Sequence, residues 1–173
     1  MPLKLLGAVL VLISGSATGW LLAAKYQARV RSLRRLQTAV NMLDSEIRYS
    51  QTLLSRALLK TAAKAGKPAG ELFQKAGKKL EEKRERIFSQ VWTGIIEDQA
   101  ASYHLTREDQ EILLEWGQQL GGTSLADSGK VNDIAIKRLQ EAEARARSES
   151  EKKVKLLRYS GVLISLLMVI LFY

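Results

Sequence analysis

Two apolar blocks without a charged residue, one near each end, constrain the fold of this chain more than any other feature. The first covers residues 5–24. As a helix rising about 1.5 Å per residue it would be about 30 Å long, which matches the hydrocarbon core of a bilayer. Lys4 and Lys25 border it on either side. Residues 1–24 are therefore predicted to form an N-terminal transmembrane helix.

A cleaved signal peptide is the alternative for this first block. The apolar region of such a peptide usually has about 7–15 residues and follows a positively charged region. Here the block is longer, and Lys4 alone supplies positive charge before it. We therefore expect a retained anchor.

Three glycines near one face of the first block, Gly7, Gly15 and Gly19, would allow another membrane helix to approach closely. Gly15 and Gly19 have the G-x-x-x-G spacing that is typical of helix pairs in membranes, although glycine is common in membrane helices in general. The expected partner is the second apolar block or another copy of the chain, so a homo-oligomer is one possibility.

The second apolar block covers residues 159–173 and would be about 22 Å long as a helix. Its 15 residues are fewer than the roughly 17 usually needed to span a bilayer. Apolar residues from Val154 onward lengthen it, because Lys155 and Arg158 can extend their charges to the interface. We predict a C-terminal transmembrane helix at 159–173. A tail that enters only one leaflet is the alternative.

Basic residues flank both blocks on their inner sides and so predict the orientation. The flanking set comprises Lys25, Arg29, Arg31, Lys152, Lys153, Lys155 and Arg158. Because positive residues are retained on the cytoplasmic side, residues 25–158 are predicted to lie in the cytoplasm, with both termini across the membrane. The same side chains would attract anionic lipid, at about 1 kcal/mol for each charge near the surface.

The central domain, residues 25–158, contains all but one of the 27 Lys and Arg residues and all 18 acidic residues. Apolar residues recur in it at steps of three and four, which is the spacing of amphipathic helices. The breaks predict one helix leaving the first block and further helices at 52–63, after Pro68, at 87–100, after Thr106 and from Val131. The predicted fold is an all-α bundle of about six helices, flanked by the two transmembrane helices.

The clearest helix start in the domain is at Thr106, whose hydroxyl can accept a backbone N–H of the first turn. Glu108 and Asp109 follow, where negative charge is favoured by the helix dipole. This helix is expected to end at Gly121 and Gly122.

No pattern of catalytic, cofactor-binding or metal-ligating residues is present in the sequence. Residues 122–130 approach a phosphate-binding loop, but Ser124 and Val131 replace the required Gly and Ser or Thr. His104 is the single histidine, and there is no cysteine, so a zinc site or a catalytic triad is not expected. His104 fits a turn before the next helix. An enzyme would require a buried carboxylate pair.

The stretch 60–86 has nine basic and four acidic residues. Such a stretch can serve as a solvated surface, or it can bind anionic lipid, an acidic protein or nucleic acid. Phe73 is the one aromatic residue within it, too few for a platform that stacks single-stranded bases. We therefore do not expect a nucleic-acid partner.

Several short motifs, in order along nearly the whole chain, resemble the stage III sporulation protein AB family of endospore-forming bacteria. They are LKLLGAVL from Leu3, RSLRRL from Arg31, EIRY from Glu46, LTREDQEIL from Leu105, and YSGVL from Tyr159 followed by LLMVI. Two departures occur. The family usually has a proline after the Glu-x-x-Tyr stretch, where Thr52 and Leu53 stand here, and an acidic, glutamine-containing stretch where this chain has residues 122–129.

The resemblance implies a role in endospore formation, in the channel between mother cell and forespore. That complex uses parts related to secretion systems, and the cytoplasmic domain of the family is similar to the type II secretion F-type platform protein. The implied partners are a secretion-type ATPase and other membrane subunits of the channel. The implied location is the mother-cell membrane around the forespore.

A non-enzymatic platform that couples this ATPase to the membrane assembly is thus the expected function. The alternative is a scaffold or lipid-binding protein whose basic cytoplasmic domain contacts anionic membrane. We expect the ATPase to contact polar residues away from the basic flanks: Glu46, Tyr49, Arg107 and Glu108.

Overall fold

The computed structural model describes the backbone of residues 2–50, 53–82, 87–122 and 127–172, and the side chains of 24–49, 53–82, 87–122 and 127–156. The elements are α1 (Pro2–Ser50), α2 (Leu54–Lys64), α3 (Ala69–Glu82), α4 (Phe88–Gln99), a 3-10 helix (Ala100–Tyr103), α5 (Arg107–Gly122) and α6 (Ser128–Phe172). These described residues contain no strand. The predicted all-α fold with six helices is confirmed.

Within the part of the chain that the structure describes, no helix has an apolar stretch long enough to cross a membrane. Residues 5–23 of the first predicted membrane segment, and the whole of the second, fall outside the residues whose side chains are described. The predicted packing glycines Gly7, Gly15 and Gly19 fall outside that set, as does Arg158.

The chain divides into two compact units, each containing parts of both long helices. The terminal unit comprises Met1–Val30 and Arg145–Tyr173, and the central unit comprises Arg31–Ala144. The central unit thus holds the second part of α1, the first part of α6 and all of the helices between them.

In the central unit, α1 and α6 lie side by side and run in opposite directions. Arg34 of α1 pairs with Glu143 of α6, with 2.7 Å between Nη2 and Oε1. Further along α1, Asp44 accepts a hydrogen bond of 2.9 Å from the amide of Asn132. Because the partner number falls along α6 as it rises along α1, the two helices are antiparallel.

Four aromatic rings form the centre of the bundle and join α3, α4 and α5. Phe73 from α3, Phe88 and Trp92 from α4, and Trp116 from α5 are all at most 5% exposed. The centroids of Trp92 and Trp116 are 5.0 Å apart in an edge-on arrangement, and that of Phe73 is 5.6 Å from Trp92. Such pairs add to the stability gained by burial alone.

A close approach between α4 and α5 depends on Gly117. A Cβ atom at this position would overlap the indole ring of Trp92. The same ring donates a 2.8 Å hydrogen bond from Nε1 to the carbonyl oxygen of Leu113, one turn earlier on α5. Gly117 therefore lets a large side chain pack flat against the helix backbone and satisfy its polar atom.

The predicted start of α5 at Thr106 is confirmed in detail. The Asp109 amide donates to the Thr106 hydroxyl at 3.4 Å, and the Thr106 amide donates to the Asp109 carboxylate at 2.9 Å. This is the reciprocal arrangement of a capping box, with Asp in place of Glu. His104, just before it, has φ 59°, as expected of a turn residue.

Two helices begin at positions different from those predicted. α2 begins at Leu54, and the predicted start Thr52 is outside the described residues. α6 begins at Ser128, three residues before the predicted Val131. Gly129 had the character of a loop residue in the sequence, but its missing side chain leaves room for the Arg48 guanidinium of α1. Packing against α1 therefore favours helix where local sequence favours a turn.

Candidate partner and membrane interfaces

Lys25 and Arg29 of α1 and Lys152, Lys153 and Lys155 of α6, five of the seven predicted membrane-flanking basic residues, lie in the terminal unit. The Lys153 ammonium of α6 lies 4.8 Å from the ring centroid of Tyr26 on α1. Arg29 of α1 pairs with Glu149 of α6 at 3.4 Å. The two helices are therefore antiparallel here as well, with Tyr26 level with Lys153.

We call the basic residues at this level the basic collar: Lys25, Arg29, Lys152, Lys153 and Lys155. All except Arg29 are exposed. Arg31, also predicted for this set, is exposed on the part of α1 that belongs to the central unit.

A row of buried residues on α6 accompanies the collar in the terminal unit. Ala146, Ser150 and Val154 recur every four residues and are at most 9% exposed. This spacing is that of one helix face. The helix therefore turns one face inward and presents Lys152, Lys153 and Lys155 to solvent.

Glu46, a predicted partner contact, is engaged within the protein. Its carboxylate pairs with Lys64 at 3.2 Å and Lys60 at 3.5 Å, both on α2. Its side chain is 17% exposed. Glu46 thus holds α2 against α1, in addition to any role at a surface.

Tyr49, one turn further along α1, is 88% exposed and is the most exposed large apolar residue of the described chain. It borders a groove between α1 and α2 that is lined by Met42, Ser45, Glu46, Tyr49, Thr61 and Lys64. The hydroxyl of Thr61, at the bottom, is buried without a hydrogen-bond partner among the described residues.

The other two predicted contacts, Arg107 and Glu108, are exposed in the first turn of α5. Arg107 pairs with Glu111 at 3.5 Å, one turn along the same helix. The start of α5 follows the 3-10 helix along the chain, and the groove lined by Glu46 and Tyr49 is not lined by Arg107 or Glu108. The structure does not unite the four residues in one site.

A polar ladder between α1 and α6 was missed by the sequence analysis. Gln37 donates from Nε2 to the Leu139 carbonyl at 3.1 Å and to Glu143 at 3.0 Å. Asn132, fully buried, donates to Asp44 and accepts from Nε1 of Trp116, each at 2.9 Å. A polar residue on an apolar stripe was the available signal, but its partners become visible only when the helices are paired.

Tyr103 of the 3-10 helix is tied to α3 by a charged hydrogen bond. Its hydroxyl donates to Glu71 at 2.5 Å, and Lys67 pairs with the same carboxylate at 2.7 Å. Lys67 first, and then Tyr103, hold the pKa of Glu71 below its ordinary value of 4.5. Burial and this bond raise the pKa of Tyr103 to about 12. Both groups therefore keep one protonation state at neutral pH, which suits a structural contact.

Within the described residues, no group of three or more His, Cys, Asp or Glu side chains is placed to hold a metal ion. The carboxylates of the polar ladder are each engaged by a cation or an amide. The candidate surfaces among the described residues include the basic collar, the α1–α2 groove and the exposed start of α5.

Comparison with known proteins decides the family. The family model described as "Stage III sporulation protein AB (spore_III_AB)" matches residues 4–173. The chain belongs to the stage III sporulation protein AB family. The resemblance noted from the short motifs is therefore confirmed, and with it the assignment to a family of sporulation proteins.

Two relatives show how far the similarity extends. The stage III sporulation protein AB of Bacillus subtilis (strain 168) is 28% identical over 169 residues, which cover 98% of each chain. A solved structure of a stage III sporulation protein AB (SpoIIIAB) has a TM-score of 0.65 at 24% identity. That comparison covers 72% of this chain and 97% of the other. At this identity it supports the fold.

Proposed function

We propose that this protein is a non-enzymatic membrane platform of the mother cell–forespore channel, which couples a secretion-type ATPase to the membrane assembly. One observation carries the proposal. In the terminal unit the basic residues of α1 and α6 lie at one level, with Lys153 over Tyr26. Two helices that enter one membrane from the same side need their positive flanks at one level.

The central unit has the internal ties that a force-bearing platform needs. Its α1 and α6 are joined by the polar ladder, in which Glu143 accepts from Arg34 at 2.7 Å and from Gln37 at 3.0 Å. Charge-assisted hydrogen bonds of this kind are among the stronger side-chain contacts. A load applied to the central unit would therefore be shared by the two helices that lead to the chain ends.

Membrane topology is the first test. Because the chain has no native cysteine, each introduced cysteine is the single site that a maleimide can label. We would introduce single cysteines by Leu53→Cys, Pro2→Cys and Tyr173→Cys. An impermeant maleimide is then added to right-side-out and inside-out vesicles. Leu53 is 70% exposed, and its cysteine should label in inside-out vesicles only.

The cysteines at positions 2 and 173 should label in right-side-out vesicles only. Labelling of position 173 together with position 53 would mean that the C-terminal block does not cross the membrane. Labelling of all three positions in one type of vesicle would contradict the two-anchor arrangement as a whole.

Binding of the ATPase is the second test. The full chain in lipid nanodiscs would be titrated with the purified secretion-type ATPase of the same organism. In one variant the ion pair Arg107–Glu111 is exchanged, as Arg107→Glu with Glu111→Arg, which keeps net charge and the pair itself. Weakening by about fivefold is expected if the start of α5 contacts the ATPase, because rim charges set complementarity.

The matched control is the exchange of Arg147 and Glu151, an exposed pair of the same spacing in the terminal unit. It should leave ATPase binding unchanged. A separate Tyr49→Asp variant tests the end of α1 in the same titration. Equal affinity of the first exchange, Tyr49→Asp and the unaltered chain would refute the predicted contacts, and no binding by any form would refute coupling to the ATPase.

The basic collar also favours a second candidate, a scaffold that organises anionic lipid. Each exposed collar lysine could contribute about 1 kcal/mol near an anionic surface. Reversing Lys152, Lys153 and Lys155 to glutamate separates the candidates. If the protein is a lipid scaffold, the charge-reversed variant should fail to support sporulation even though the ATPase is present. If it is a platform, the unaltered chain should lose its function when the ATPase is removed, even with the collar intact.

A further inference from the structure

The described side chains of the terminal unit carry more positive charge than the protein itself neutralises. They include seven basic and two acidic residues. Each of the two glutamates is already paired with an arginine, in the pairs Arg29–Glu149 and Arg147–Glu151. Four lysines of the basic collar form no ion pair among the described residues: Lys25, Lys152, Lys153 and Lys155. An anionic partner is therefore the class that this surface fits.

The collar lysines of α6 spread around the helix instead of forming one row. Successive residues of an α-helix are turned by about 100°, so Lys152, Lys153 and Lys155 lie at different angles around the side that faces away from Val154. Val154 is buried, and all three lysines are exposed. The surface of an acidic protein would reach a helix from one direction, whereas a layer of lipid headgroups that surrounds the helix reaches every exposed side. This arrangement favours a lipid surface over an acidic protein.

A leucine and a tyrosine accompany the collar lysines. Leu156 is 68% exposed and lies one turn after Lys152, on the same face of α6 and closer to the second apolar block. Tyr26 directly follows the first block and its flanking lysine, and its ring centroid is 4.8 Å from the Lys153 ammonium. Tyrosine rings are enriched where hydrocarbon meets headgroups, and lysine side chains there extend their charges toward water. The residues of the collar thus have the composition of a membrane–water interface.

We propose that the basic collar binds the headgroups of anionic phospholipids, so that anionic lipid is enriched around the terminal unit. The lysine ammonium groups pair with the negative headgroups, while Leu156 and the Tyr26 ring contact the adjoining acyl chains. This inference rests on the membrane placement in the proposed function and adds the class of lipid that the protein selects. It applies to a platform and to a scaffold alike.

The test is energy transfer from the full chain to lipid, in nanodiscs that contain phosphatidylcholine and phosphatidylglycerol in equal amounts. Gln27→Cys carries the donor dye, because Gln27 is exposed beside Tyr26 and the chain has no native cysteine. A trace of one lipid or the other carries the acceptor dye on an acyl chain, which leaves its headgroup unaltered. The ratio of the two transfer efficiencies measures the enrichment of phosphatidylglycerol. It should be about fivefold, the factor that one lysine near an anionic surface contributes.

A collar variant and a matched control locate the effect. The collar variant carries three neutral substitutions of similar length: Lys152→Gln, Lys153→Gln and Lys155→Gln. Its enrichment ratio should fall to nearly one, because three of the charges that attract the headgroups are gone. The control makes the same change of net charge at exposed lysines of α3 in the central unit: Lys75→Gln, Lys78→Gln and Lys79→Gln. The control should keep the ratio of the labelled chain that has all its lysines, and circular dichroism would verify the helix content of both variants.

The possible outcomes separate this proposal from the proposed function. Equal transfer to the two lipids, or the same enrichment with and without the collar substitutions, would refute the lipid preference and leave the membrane anchors intact. Loss of the preference in phosphate buffer, but not in chloride of the same ionic strength, would assign the collar to free phosphate and overturn the choice of lipid. No transfer to either lipid would refute the membrane placement itself, and with it the platform.

Discussion

Asn132 should be among the most sensitive polar positions of the central unit. It is fully buried, accepts a 2.9 Å hydrogen bond from Trp116 and donates one of 2.9 Å to Asp44. Asn132→Ala removes both bonds. Asp44 keeps Arg48 at 2.8 Å, but the buried indole N–H of Trp116 loses its acceptor. A lost hydrogen bond costs about 1 kcal/mol, and an unsatisfied buried donor costs about 1–3 kcal/mol.

The expected destabilisation of Asn132→Ala is therefore about 3 kcal/mol. For a unit of this size it corresponds to a fall in melting temperature of about 10 °C. The assay is unfolding in guanidinium chloride, followed by tryptophan fluorescence, because Trp92 and Trp116 are both in the aromatic centre. The full chain in mild detergent is the sample.

Asn41→Ala is the matched control, since Asn41 is exposed on α1 and donates only to the Gln37 carbonyl of its own helix. It should change the free energy of unfolding by less than about 0.5 kcal/mol. If Asn132→Ala and Asn41→Ala proved equal within error, the buried bridge between α1, α5 and α6 would contribute nothing, and the reasoning from its geometry would be wrong.

Asn132→Asp adds a pH dependence whose sign can be worked out. The aspartate can still accept from Trp116, but its second oxygen would face the Asp44 carboxylate where the amide now donates. Burial and like charge would raise a carboxyl pKa in the folded state above its unfolded value. Folding would then bind a proton, so this variant should lose stability relative to the unaltered chain as pH rises from about 4 to 7.

Two further predictions concern packing and acid stability. Gly117→Ala should lower the free energy of unfolding by about 1–3 kcal/mol, since its Cβ would overlap the buried Trp92 ring. Gly94→Ala, with open space at its Cβ, should instead stabilise α4, by up to about 1 kcal/mol, in the same assay. Lys67 is the chief cause of the lowered pKa of Glu71 in the folded protein. The Glu71 carboxylate therefore stabilises the fold at pH values above its ordinary pKa of 4.5. This stabilisation should vanish as pH falls through the folded-state pKa, and Glu71→Gln should remove that part of the pH dependence.

Local sequence was sufficient for the helices and their clearest boundary. Apolar spacing predicted six helices because a helix in water must turn one face inward, and this periodicity needs no knowledge of the partner. Thr106 predicted the start of α5 because a capping box is made within four residues. The distribution of positive charge predicted that the two chain ends have similar flanks, and the structure brings Tyr26 and Lys153 to one level.

The start of α6 and the position of Glu46 depended on packing between helices distant in sequence. Ser128 and Gly129 had the local character of a turn, yet they form helix because the Arg48 side chain of α1 fills the space that Gly129 leaves. Glu46 had the character of a free surface residue until α2 placed Lys60 and Lys64 beside it.

The candidate surfaces divide in the same way. Flanking charge and short motifs are properties of neighbouring residues, so they predicted the basic collar and the family without coordinates. A groove where the starts of α2 and α4 meet the end of α3 is lined by Leu53, Leu80 and Phe88, which have no relation in sequence that would bring them together. Which apolar residues are covered and which remain exposed is decided when helices pack, because burial depends on the partner as well as on the residue.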